Sequence, residues 1–225
     1  MLLKRKGKVI LMAFVVAACL CMGVVDAVIQ PGYAAKSAIK VVCFLCLPIL
    51  FALLNGDKGM RNVLVPSSHG LRTALAAGAV VYAVILCAYL LFRNVFDFSA
   101  LTSSLTSTTG VSGENFLWVA LYISFINSLL EEYFFRGFAF LTLGKYADRR
   151  FAYCFSAGMF ALYHIAMMIG WFSWTVVGLA LVGLFVGGLI FNWFDERFGN
   201  IYMSWLVHMF ANFATNTIGF MLFRM

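Results

Sequence analysis

Glu131-Glu132-Tyr133-Phe134-Phe135-Arg136 sets three ionisable side chains in a run that is otherwise uncharged from Asn115 to Gly144. A carboxylate or guanidinium at the centre of a bilayer costs about 2.5–3.5 kcal/mol on insertion scales, so such groups are by default a hypothesis about function. What they face decides how the chain must fold.

The surrounding chain is that of an integral membrane protein. Of 225 residues, 64% are hydrophobic and 11% charged, against about 25% charged in soluble domains. Mean hydropathy is +0.96. The apolar residues fall into blocks of roughly 17–25, the length a helix needs to cross about 30 Å of hydrocarbon, and not into the ten-residue alternation of a barrel. The expected fold is an all-α polytopic membrane bundle of about seven transmembrane helices forming one domain over residues 1–225. The spans are read as Val9–Ile29, Ser37–Leu54 with a kink at Pro48, Leu71–Phe92, Asn115–Leu143, Phe151–Ile169, Trp174–Phe194 and Ile201–Phe223. A Ser/Thr-rich loop from Ser99 to Ser112 and a compact charged loop from Asp195 to Asn200 join two pairs of them.

The net charge of +7 is scattered between the blocks, which argues for topology and against a nucleic-acid partner. With the amino terminus in the cytosol, eleven Lys and Arg fall on the inner side and four on the outer, the latter Lys36, Lys40, Arg93 and Arg224. The six cysteines lie inside apolar blocks and suggest no disulfide framework. Cys43-x-x-Cys46 has redox spacing but no nearby His. Val16-Ala17-Ala18-Cys19 resembles a lipoprotein cleavage box, yet the apolar run continues about ten residues past Cys19, too long for a signal core.

Polar residues inside the spans are few. Measured from the cytoplasmic ends of their blocks, Glu131 and His164 lie roughly 20 Å deep and His208 roughly 10 Å. Glu132 and Arg136, four apart, share a helical face and suit an ion pair, whereas Glu131 shares its face with Asn127. The competing bland reading bonds both carboxylates to Arg136 as a helix-locking cluster. On the last span, Ser204, His208, Asn212 and Asn216 form a stripe every fourth residue, facing a neighbouring helix or a cavity. A shielded carboxylate can act as general base toward water, one imidazole can carry the proton, and a second with an amide can stabilise an oxyanion, which suits amide hydrolysis. Glu131, His164 and His208 can alternatively hold zinc with an open position for water.

Glu131-Glu132-x-x-x-Arg136-Gly137, Phe160-x-x-x-His164 and His208-x-x-x-Asn212 resemble, in order, the three motifs of the CAAX protease and bacteriocin-processing intramembrane protease family. The resemblance covers Glu131 to Asn212, and the first three spans show no matching motif. It implies an endopeptidase with its catalytic core at about residues 115–223, in which Glu131 and His164 activate water, His208 and Asn212 support the oxyanion, and Glu132 and Arg136 assist. Its expected partners are a membrane-associated peptide or protein substrate and the lipid bilayer. A bacterial inner membrane is the expected location. Two other classes use the same cluster: a non-catalytic immunity or scaffold protein, and a proton-coupled transporter, the latter weakened by the lack of a repeat relating the two halves.

Overall fold

The computed structural model describes residues 2–57, 59–95, 102–103, 105–169 and 173–223. Lys58, Arg224 and the start of the loop at Ser99 lie outside them, as do the side chains of Lys4, Arg5 and Lys6. All regular structure among the described residues is helical, arranged as seven rods with short helices between them at Gly59–Asn62 and, inside the expected Ser/Thr-rich loop, Leu105–Thr109. Six are long and apolar enough to cross a membrane: α1 (Gly7–Ile29), α2 (Tyr33–Leu54), α3 (Leu71–Phe92), α5 (Arg149–Met168), α6 (Trp174–Phe198) and α7 (Tyr202–Phe223). The seventh, α4, spans residues 116–145. It is not among those six because the charges that single it out also lower its hydropathy. Its polar stretch is covered by protein instead: every residue from Leu130 to Phe140 is buried.

Each rod divides its apolar residues between the bundle and lipid. On α1, Leu11, Val15, Ala18, Met22 and Val25 recur every three or four residues and are buried, while Ile10, Leu20, Val24 and Val28 face outward. Rods approach closely at small residues, as lipid-embedded helices must when no hydrophobic force separates helix from solvent. A Cβ on Gly188 of α6 would stand 2.9 Å from Ala157 Cα on α5, and one on Gly78 of α3 would stand 2.6 Å from the Phe210 ring on α7. Tyr82 and Thr217 add a 3.1 Å hydrogen bond between α3 and α7.

Four local departures from the expected elements have physical causes. The kink expected at Pro48 is absorbed by a wide π-helical turn over Val42–Cys46 just before it, closed by the Leu47 N–H on the Val42 carbonyl. Helix α2 also starts earlier, at Tyr33, after a tight turn in which Gln30 takes a positive φ of 46°. Helix α5 is capped by Asp148, whose carboxylate accepts from the Phe151 N–H at 2.9 Å, and it breaks at His164 before a last turn, Ile165–Met168. The charged loop expected from Asp195 is not a loop: α6 runs on to Phe198 and ends at Gly199 with φ 71°. Asp195 is therefore a helical residue, and a fully buried one.

Candidate active site

Helix α4 presents its charges to four neighbours. It is α-helical over Phe116–Tyr122 and Ser128–Glu131 and π-helical over Ile123–Asn127 and Glu132–Thr142. Wide turns of this kind concentrate at functional sites. The polar stripe of α7 fastens to its first half. Asn216 donates to the Ala120 carbonyl and the Ser124 hydroxyl, Asn212 to the Ile123 carbonyl at 3.2 Å, and Trp205 to the Phe125 carbonyl and the Ser128 hydroxyl. Each of these bonds fixes the register of α7 against α4. That register sets His208 beside the two carboxylates.

His208 bridges them. Its Nδ1 lies 2.8 Å from Glu132 Oε1 and its Nε2 lies 3.7 Å from Glu131 Oε2. Since a carboxylate only accepts, Nδ1 carries a proton toward Glu132, and Nε2 is the nitrogen turned to Glu131. The ring stacks on Phe191 of α6 at 5.3 Å and meets the edge of Phe160 at 5.9 Å, so its plane is held from two sides. His164 enters from the break in α5. Its Nδ1 is 2.7 Å from the Phe160 carbonyl, which fixes the proton on Nδ1 and leaves Nε2 as the acceptor in the neutral ring. It lies within electrostatic reach of Glu131.

The two carboxylates part company, as their helical phases suggest. Glu132 takes His208 and Arg136, whose Nε stands 3.3 Å from Glu132 Oε2. The Arg136 guanidinium is fully buried between the faces of Phe160, at 4.2 Å, and Phe191, at 4.9 Å. Glu131 makes no ion pair with Arg136 in the structure. Its Oε1 accepts from Asn127 at 3.1 Å and from Lys40 Nζ at 2.5 Å, and Lys40 also donates to Asn127 Oδ1 at 2.5 Å.

Glu131, His164 and His208 are thus brought together with Glu132 and Arg136, whereas Asn212 is engaged with backbone one turn along. Two charged residues of the cluster escape sequence reasoning. Lys40, read as an outer-side topology charge, is 4% exposed and sits on Glu131. Its presence inside the Ser37–Leu54 block was the available signal, by the same rule that singles out Glu131. Asp195 lies within electrostatic reach of Arg136 and Glu132. No sequence signal separated it from its exposed neighbour Glu196, which binds Arg149 at the surface.

For the zinc alternative at Glu131, His164 and His208, the Nδ1–H bonds of the two imidazoles leave each Nε2 open, as in metal-bound histidines. The Lys40 ammonium holds one oxygen of Glu131, and among the described residues no group of three or more His, Cys, Asp or Glu is placed to hold a metal. The chemistry open to the cluster is proton transfer between a carboxylate and two oriented imidazoles.

Among curated proteins and among solved structures, none matches the chain. Residues 113–214, which contain Glu131, Glu132, Arg136, His164, His208 and Asn212, match the model of the family described as type II CAAX prenyl endopeptidase Rce1-like. Over that stretch, somewhat under half of the chain, the protein is similar to the CAAX protease family of membrane endopeptidases.

Proposed function

We propose that the chain is an intramembrane endopeptidase of a bacterial inner membrane, hydrolysing a peptide bond of a membrane-associated protein or peptide with Glu131 as general base. Glu131 Oε2 takes a proton from water, and the resulting hydroxide adds to the scissile carbonyl carbon. His164, with Nε2 available, shares the proton and passes it to the leaving nitrogen as the C–N bond breaks. His208, oriented through Nδ1 by Glu132, faces the developing oxyanion with Nε2, from which an imidazole stabilises such a charge by donating a hydrogen bond. Asn212 spends one amide N–H on Ile123 and keeps a second for the same oxyanion. The observation that carries the reading is the meeting of buried Glu131 and His208 with half-buried His164 from three separate helices, with Glu132 fixing the His208 ring.

The experiment compares membranes of cells making the wild type or the Glu131→Gln variant, using mass spectrometry of labelled protein termini. New termini that appear with the wild type and vanish with Glu131→Gln, at equal protein levels, are expected. Identical termini in both would overturn the reading in favour of a non-catalytic role for the cluster.

A further inference from the structure

The family match begins at residue 113, yet the carboxylate at its centre is held by a residue seventy positions and more before it. Lys40 lies on α2, enclosed by the rings of Tyr163 at 5.1 Å and Phe44 at 5.5 Å. Its counter-charge is not local. The first 57 residues contain two acidic side chains, Asp26 and Asp57. Asp26 pairs with Lys36, one turn before Lys40, and Asp57 pairs with Lys145 at the end of the bundle. Glu131 is the carboxylate left for Lys40, and the buried ammonium is tolerable in that place only with it.

The pairing is also selective between the two oxygens of Glu131. Lys40 and Asn127 both take Oε1, and Oε2 alone faces His208 Nε2. We propose that Lys40 is a positioning residue for hydrolysis: the amino-terminal hairpin α1–α2 supplies the cation that locks the Glu131 carboxylate by one oxygen and presents the other to water and the imidazoles. This rests on Glu131 being the general base. As Oε2 takes the proton of water, the charge of Lys40 is no longer cancelled by Glu131, and it favours the negative charge forming on the substrate carbonyl in a site of low dielectric.

The test measures accumulation of the Glu131-dependent termini and the melting temperature of the detergent-purified protein for K40M, K40R, N127L and K40M/E131Q, beside E131Q. K40M is expected to lower cleavage about 100-fold, the scale of a misplaced catalytic group. K40R is expected to recover most of that loss, and N127L, which removes the second clamp on Oε1 and one acceptor of Lys40 but keeps the cation on Glu131, to lose about tenfold. K40M leaves Glu131 buried without its cation and melts lower, whereas K40M/E131Q removes both charges, regains the wild-type melting temperature and still does not cleave. Wild-type cleavage by K40M, or by N127L where K40M fails to fold, with E131Q inactive, overturns the role of Lys40 and leaves Glu131 in place. Wild-type cleavage by E131Q overturns the general base and the inference with it.

Discussion

Arg136 is the largest fully buried side chain among the described residues, and none of its nitrogens makes a well-formed hydrogen bond. It is held by charge, from Glu132 and Asp195, and by the π faces of Phe160 and Phe191. A planar guanidinium suits such a slot and a lysine ammonium does not. Arg136→Met is expected to lower stability by about 3–5 kcal/mol, because Glu132 and Asp195 lose their shared cation. Arg136→Lys should recover less than half of this, read from melting in detergent. A Lys variant as stable as the wild type would mean that charge alone suffices. Spacing revealed the intrahelical part of this scale, since Glu132 with Arg136 and Glu131 with Asn127 follow from four-residue intervals. It did not reveal Lys40 or Asp195, whose partners lie on other rods and depend on packing that no interval encodes.

Between elements, the site depends on how closely α5 and α6 approach, because these rods supply His164, Phe160, Phe191 and Asp195. That approach is made at Gly188, three residues before Phe191. An added methyl there would meet the Ala157 backbone, which has no rotamer to yield. Gly188→Ala is expected to cost about 1–3 kcal/mol as overpacking and to lower cleavage by shifting Phe191 from His208. Gly187, with no atom near a built Cβ, is the control: Gly187→Ala should change neither the melting temperature nor cleavage. Equal effects of the two would remove the α5–α6 contact from the account. The existence and order of the rods were legible from hydropathy, because length and apolarity alone fix them. Their ends were not, since α6 continues through Asp195-Glu196-Arg197 on charge pairs made with other rods, and the break at His164 follows no Pro or Gly.

Across the whole molecule, Lys8, Lys145 and Arg149, all assigned to the inner side, gather at one end. Lys8 lies over the Phe151 ring at 3.8 Å, Lys145 bonds Asp57, Arg149 bonds Glu196, the Ile201 N–H donates to the Val63 carbonyl, and the Tyr202 hydroxyl donates to the Leu64 carbonyl. Contacts at the opposite end join Tyr33 to Tyr122 and Phe116 to Phe220 and Phe223. Helix α4 therefore runs from the end that holds Phe223 to the end that holds Lys8, the full length of the apolar rods, although its composition keeps it out of their number. With α4 included there are seven passes, and Lys8 and Phe223 lie at opposite ends. The positive-inside rule then turns the end with Lys8, Lys145 and Arg149 to the cytosol. A reporter enzyme active only outside the cytosol should be silent when fused after Lys145 and active when fused after Met225. A cysteine-specific, membrane-impermeant reagent should label a cysteine placed at Ser112 in intact cells and fail to label one placed at the exposed Arg150. Activity of the Lys145 fusion, or labelling at Arg150, would break the seven-pass arrangement and turn the end bearing Lys145 away from the cytosol.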